Sequence, residues 1–346
     1  CGEMGVGLDV IFFKQRGTRF SEPYLACPDF ALASFEADAG DFTVEEGANH
    51  AADVMLGCRA DFVRQGIDLS TYKSADNAAD FEDLRIALGY ETWNLYGISY
   101  GTRLSLTIMR DFPDGLRSVI IDSVDPPAVD LYEETPRNAA AAITNLFETC
   151  AADEACNEAY PDLEQAYFEL IERLNAEPFE ASVFRQSEGR YYTALVDGDF
   201  LNGNVFYGLY SSATIRRLPW IVYEAYEGNY GPLQTRFLEG QFIWDRIATG
   251  MHYALNCNEE IAFDTLAELE AASEALPKAF RFFTAMDNLI TWKICEGWDA
   301  PPPNPIEHEA VVSDVPTLLL AGELDPVTPS RWAVQAAETL PNSFIY

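Results

Sequence analysis

One stretch, residues 92–122, constrains this chain more than any other. Residues 92–96 (TWNLY) read as a strand, Gly97-Ile98-Ser99-Tyr100-Gly101 as a tight turn, 102–111 (TRLSLTIMRD) as a helix closed by Pro113, and 118–122 (SVIID) as a second strand. Parallel neighbours can be joined only through a crossover, so strand, turn, helix, strand is the βαβ unit of a doubly wound parallel sheet. Short apolar runs at 8–13 (LDVIFF) and 316–321 (PTLLLA) fit further strands buried on both faces, and 343–346 opens one more. Helices are expected at 51–66, at 76–88 before Gly89, and at 330–340 with Ser330 as N-cap.

Between Pro126-Pro127 and the linker at 300–305 (APPPNP) the texture changes. Helical stretches at 137–150, 163–175 and 266–283 follow one another without recurrent buried strands. The expected organisation is a core in two parts, 1–125 and 312–346, interrupted by a mainly helical cap at 126–311.

Chemistry enters at Gly97-x-Ser99-x-Gly101. At ordinary glycine and serine usage of roughly 7%, chance supplies G-x-S-x-G about one time in ten in a chain this long, so the flanks decide. A strand before and a helix after are what a nucleophilic serine on a strained turn requires, with Gly97 and Gly101 giving room for close backbone approach. The Tyr100 amide, opening the helix, would face a developing oxyanion. Asp325 follows the 316–321 strand in a loop stiffened by Pro326 and Pro329. Strand ends of one sense share one sheet edge, so Asp325 can reach the Ser99 region and orient a histidine there. In this chain order the histidine must follow the aspartate, yet His50, His252 and His308 all precede it. They are expected to be ordinary surface or core residues.

The charge balance, 22 Lys+Arg against 56 Asp+Glu for a net −34, excludes a phosphate-backbone binder and disfavours an anionic membrane surface. Solubility is the ordinary use of such acidity, with salt adaptation or a cationic ligand as alternatives. The lysines are Lys14, Lys73, Lys278 and Lys293. No apolar run approaches ~18 residues, so no membrane span is expected, and residues 1–7 lack a signal-peptide pattern. Cys1 would suit a lipidated bacterial N-terminus; truncation is the favoured account. Among seven cysteines no C-x-x-C occurs, so neither a metal nor any other cofactor is expected. Cys150 and Cys156 flank a turn-prone AADEA, and Cys27–Cys58 and Cys257–Cys295 are sensible further pairs, although six cysteines can pair in about 15 ways. Such bridges imply an oxidising compartment: periplasm, cell surface or exterior. Free buried thiols in a cytosolic enzyme are the alternative.

Residues 9–23 (DVIFFKQRGTRFSEP), 83–106 (DLRIALGYETWNLYGISYGTRLSL), 112–127 (FPDGLRSVIIDSVDPP) and 315–329 (VPTLLLAGELDPVTP) together resemble the α/β-hydrolase superfamily. Within it they resemble the S33 peptidases, the proline iminopeptidases and the tripeptidyl-aminopeptidase-like group, to which GISYGT and AGELDPVTP are specific. The resemblance implies a serine exopeptidase acting on peptides with free N-termini: Ser99 as nucleophile, Asp325 as orienting acid, and a histidine beyond residue 346. A second oxyanion amide would come from an HGGPG-type loop ahead of LDVIFF. Without the histidine the 346 residues are expected to be close to inert. Two departures are Lys14 in KQRG, where the family has an acid, and Arg19, where a glycine is usual. An acid near Cys257 faces the pocket in this family, which makes Glu259 and Glu260 candidates for binding the substrate ammonium. Trp220, Tyr223, Tyr226 and Trp292 could line the cleft or simply fill the cap. An esterase or lipase on the same fold would ignore the amine, and a non-catalytic binding protein would not acylate Ser99. Dehalogenases and epoxide hydrolases need an aspartate where Ser99 stands.

Overall fold

The computed structural model describes residues 9–237 and 242–346, and within these the side chains of all but 236, 237 and 282–284. In chain order the elements are α1 (Pro28–Ala39), α2 (Val44–Arg64), α3 (Ser74–Leu88), β1 (Trp93–Ile98), α4 (Tyr100–Asp111) and β2 (Leu116–Asp122). The middle of the chain carries α5 (Leu131–Ala152), α6 (Glu154–Ala159), α7 (Leu163–Ala176), β3 (Phe179–Arg185), β4 (Arg190–Val196), α8 (Gly198–Gly208), α9 (Ser212–Ile215), α10 (Leu218–Tyr226), α11 (Gly231–Phe237), α12 (Thr249–Glu259), α13 (Leu266–Glu274) and α14 (Lys278–Glu296). It closes with β5 (Thr317–Leu320), α15 (Ser330–Ala337) and β6 (Ser343–Ile345).

Strands β1, β2, β5 and β6 form one sheet in that order, every pair parallel. Helix α4 makes the crossover from β1 to β2 and is buried from Thr102 to Met109. Val119, Ile121 and Leu319 are the apolar centre of the sheet, packed with Leu104, Ile108, Ala333 and Leu340. Gly89 stops α3 in the left-handed region at φ 77°, where a glycine meets no Cβ penalty.

Helices α3 and α15 also pack on this sheet, and most of the remaining helices form a second body with two apolar clusters. One gathers α5, α7, α8 and α10 around the β3–β4 hairpin. The second joins α1 and α2 to α12 and α14, so a segment well ahead of β1 packs with one that follows β2. Sulfur bridges lie within these bodies: Cys27–Cys58 ties the start of α1 to α2, Cys257–Cys295 ties α12 to α14, and Cys150–Cys156 closes the turn after α5.

Three local expectations change. Residues 9–13 form no strand: Val10 and Phe12 are 51% and 67% exposed. A strand needs a ladder partner, and this segment stands off β1 across a cleft of about 720 Å³ lined by Phe13, Phe81, Trp93 and Tyr96. Leu8 and Cys1 lie outside the described residues. Residues 179–196 form an antiparallel hairpin rather than helix or coil, with Ala181 and Val183 turned into the core. The long helix expected over 266–283 is two, because Pro277 cannot continue α13 and instead precedes α14.

Candidate functional site

Ser99 joins β1 to α4 with φ 53° and ψ −126°, outside the regions where an L-residue sits comfortably. Such a conformation persists only where its surroundings over-determine it, and here they do. The Ser99 N–H donates to Asp122 O at 3.0 Å. Its carbonyl accepts from both the N–H and the hydroxyl of Thr102, each at 2.7 Å. The Thr102 oxygen accepts in turn from Asp125 N–H at 2.8 Å, so one buried hydroxyl locks the turn to the end of β2. The Ser99 residue itself is exposed.

The two glycines of the motif differ. A Cβ on Gly97 would lie 2.2 Å from Gly101 O and 2.5 Å from Ser105 Oγ, so the strand and helix approach too closely for any side chain. A Cβ on Gly101 would meet nothing within 4 Å.

Asp325 lies beyond β5, on the same edge of the sheet as Ser99, since the register pairs Ile98 with Asp122 and Asp122 with Leu320. Its carboxylate organises its own loop. Oδ1 accepts the N–H groups of Val327 and Thr328 at 2.9 Å each, and Oδ2 accepts the Thr328 hydroxyl at 2.8 Å. Helix α5 grips both sides of this loop, Asn145 donating to Glu323 O at 3.0 Å and Asn138 to Val327 O at 2.9 Å. Arg331 bonds Glu134 and Asn138 on the same helix. Sequence reasoning missed Thr102, Thr328, Asn138 and Asn145. Only Thr328 had a local signal, an aspartate three residues before a threonine in a proline-flanked turn.

Glu259 and Glu260 are not open to a ligand. Both are buried, at 1% and 7% exposure. The Glu259 carboxylate accepts the N–H and hydroxyl of Ser74 at the start of α3, and Glu260 pairs with Arg103 at 2.7 Å. The expectation that they face the pocket is therefore corrected: these carboxylates tie α12 to α3 and α4, a pairing across the chain with no trace in local sequence. Burial, opposed by Arg103 and Ser74, pushes Glu259 up to about 7, and burial also raises Glu260 and Asp125.

None of the three histidines contacts Ser99 or Asp325. His50 pairs with Glu36 at 2.8 Å on the surface. His308 stacks on Phe263 and lies 3.4 Å from Asp130. His252 sits against Trp244 and Tyr253, where burial lowers it to about 4 and keeps it neutral. Trp220, Tyr223 and Tyr226 pack onto the helical core, and Trp292 is half-buried on α14. In the KQRG turn, Arg16 clamps the loop to α3 through Asp80 at 2.7 Å, and Arg19 lies over the ring of Phe20.

A different pair of acids stands free. Asp38 on α1 and Asp287 on α14 have no ion pair or hydrogen bond among the described residues, and each is held above the carboxylate range by burial, Asp38 also by Asp287. Tyr210, solvent-accessible but ringed by protein, is raised by that enclosure and then by Asp325 and Asp287, so both acids lie within its field. Among the described residues no group of His, Cys, Asp and Glu is placed to hold a metal, and no helix is long and apolar enough to cross a membrane.

Serine protease Hip1 of Mycobacterium tuberculosis, like that of Mycobacterium bovis, is 24% identical over 364 residues, which cover 97% of this chain and 67% of Hip1. Tripeptidyl aminopeptidase of Streptomyces lividans is 32% identical over 127 residues, 35% of this chain and 23% of that protein. The chain thus spans about two thirds of the length of Hip1. A solved structure, the α/β hydrolase enzyme MGS-M2 from a Medee basin deep-sea metagenome library, matches 80% of this chain and 63% of its own at 14% identity, with a TM-score of 0.30. The family model for the alpha/beta hydrolase fold matches residues 5–346, and the chain belongs to that family.

Proposed function

We propose that this chain is the body of a serine peptidase that removes residues or short peptides from free N-termini. The observation that carries the reading is Ser99 itself: an exposed serine held at φ 53° between β1 and its crossover helix. In the proposed reaction Ser99 Oγ attacks the scissile carbonyl and forms an acyl-enzyme, which water then hydrolyses. The N–H of Tyr100, first residue of α4 and so without a partner inside the helix, donates to the oxyanion. Asp325 orients the base and stabilises its cationic form. The base is none of His50, His252 or His308. A histidine following Asp325, in the chain order of the resemblance, completes the set.

The aminopeptidase specificity draws on two supports. The relatives include a tripeptidyl aminopeptidase. Asp287 has no cation among the described residues and lies in the field of the same tyrosine that senses Asp325, and Asp38 in turn feels Asp287. An α-ammonium placed between them would restore their ionised forms. Three disulfides favour an extracytoplasmic site of action, in the periplasm, on the bacterial surface or outside the cell.

The test uses the longest product of the gene. A fluorophosphonate probe should label Ser99 and spare the Ser99→Ala variant. Peptide anilides with a free N-terminus should be cleaved and their N-acetylated forms should not. Asp38→Asn/Asp287→Asn should narrow that preference. Equal turnover of free, blocked and simple ester substrates would make the protein an esterase, and no labelling would make it a binding protein.

A further inference from the structure

Tyr100 stands where the two bodies of the molecule meet. Its ring packs against the helical cluster of α1, α2, α12 and α14 and against the sheet cluster at once. Its phenol lies 3.0 Å from Ser74 Oγ. Ser74 is fully buried, and both of its donors go to one carboxylate, the N–H to Glu259 Oε1 and the hydroxyl to Glu259 Oε2 at 2.6 Å. With the Ser74 proton so committed, the phenol is the donor in the Tyr100–Ser74 bond. Arg103, three residues along α4 and 2% exposed, ties the same helix to the end of α12. Its Nη2 donates to Glu259 O at 2.9 Å and to Glu307 O at 3.0 Å, while Nη1 lies 2.7 Å from Glu260.

We propose that Glu259 is a positioning residue for the oxyanion donor: through Ser74 it fixes Tyr100, and with it the direction in which the Tyr100 N–H leaves the turn. The inference rests on the reading of Ser99 as nucleophile. The N–H of a helix's first peptide has no preceding carbonyl to bond, so its plane is held from the carbonyl side alone, here by Thr102. Here that plane also follows a serine in an unfavourable backbone region, whose relaxation would rotate it. The ring of Tyr100, anchored at its far end, opposes that rotation. An N–H swung off line donates more weakly to the charge that develops on attack, while ground-state binding stays as it was. The Ser74–Glu259 pairing thus adds, from α3 and α12, a second restraint to the one that Thr102 places on the Ser99 carbonyl of the same peptide.

The relay is cut most gently by Tyr100→Phe, which keeps the ring, and by Ser74→Ala. Steady-state kinetics are combined with the affinities of a peptide boronic acid, which mimics the tetrahedral adduct, and of a product peptide. Losing an oxyanion donor outright costs about 10²–10³ in kcat, so a misaimed one should cost about tenfold in kcat with KM within about twofold. The boronate should weaken by the same factor and the product peptide should not. Glu259→Gln keeps an acceptor for the Ser74 N–H and should retain more of kcat than either variant. Unchanged kcat and boronate affinity, with Ser99 still labelled by fluorophosphonate, overturns the positioning role and leaves the nucleophile in place. A parallel loss of boronate and product binding also overturns it, since that marks general damage. Failure of the wild-type Ser99 to label removes the underlying reading instead.

Discussion

Gly97→Ala and Gly101→Ala should have opposite outcomes, although both glycines belong to one five-residue motif. The Cβ added at Gly97 lands 2.2 Å from Gly101 O, 2.6 Å from Gly101 C and 2.5 Å from Ser105 Oγ. Carbon and oxygen normally approach to about 3.3 Å even in close backbone contacts, so the start of α4 must retreat by about 1 Å. Two of the three contacts are backbone, which cannot rotate aside. The third, the Ser105 hydroxyl, already donates to Gly101 O at 2.8 Å and would be pushed off it. Overpacking of this kind costs about 1–3 kcal/mol, and the rigidity of the contact puts Gly97→Ala near ~3. The same retreat carries Ser99 and the Tyr100 N–H with it. A shift of about 1 Å at a reacting group is worth about 10²-fold in rate. At Gly101 the added methyl meets nothing within 4 Å. There alanine should be neutral or stabilising, by at most ~1 kcal/mol, because it lowers the cost of ordering the helix. Urea unfolding reads the stabilities, and the second-order rate of fluorophosphonate labelling reads the site. Equal unfolding midpoints and labelling rates for the two variants would refute the packing argument. So would a Gly101→Ala protein that loses either property while Gly97→Ala keeps both.

Other outcomes follow from single contacts. Thr328→Val removes one of the three donors to the Asp325 carboxylate; a hydrogen bond to a charged group is worth about 1.5–3 kcal/mol, so labelling of Ser99 should slow by about tenfold or more with the fold intact by circular dichroism. Replacing the bridged pairs by alanine should cost about 4 kcal/mol for Cys27–Cys58 or Cys257–Cys295, whose partners are 31 and 38 residues apart, and about 2 for Cys150–Cys156, 6 apart; equal losses in urea would contradict the loop-entropy account. Stability should be higher at pH 5 than at pH 8. Glu259 binds its proton more tightly folded, at about 7 against an ordinary 4.5, so its contribution is complete below about 4.5 and lost as pH rises through about 7, by at most ~3 kcal/mol. Asp199 and Asp264, also raised to about 7 by burial first, act in the same sense. Glu259→Gln should flatten the difference between urea midpoints at the two pH values.

What could be read from the sequence was whatever the chain writes locally. The βαβ unit around Ser99 is carried by residues within thirty or so of one another, and each signal names its own geometry: Gly89 a left-handed stop, Gly97 a close approach, Pro113 the end of α4. The β3–β4 hairpin was written locally too, since Ala181 and Val183 alternate with Glu180 and Ser182. That period of two was outweighed by the helical texture on either side. The segment at 9–13 was different. Its residue types suit a buried strand, but a strand is a relation between two chains of hydrogen bonds, and composition specifies only one of them.

The same distinction decides the acids. Nothing near Glu259 in sequence says that its oxygens are committed, because the commitment comes from Ser74, far upstream, and from an arginine on the crossover helix. Nor does anything near Asp38 and Asp287 say that they are left over. With 56 acids and 22 basic residues, most carboxylates cannot have a cation, and where the few buried cations go settles which acids are structural. Arg103 is one of them, and by taking Glu260 and the Glu259 carbonyl it turns two acids that looked like a ligand site into a brace for the Ser99 turn. Which acids the protein leaves without a donor is thus decided last, by subtraction, after its own donors have been assigned.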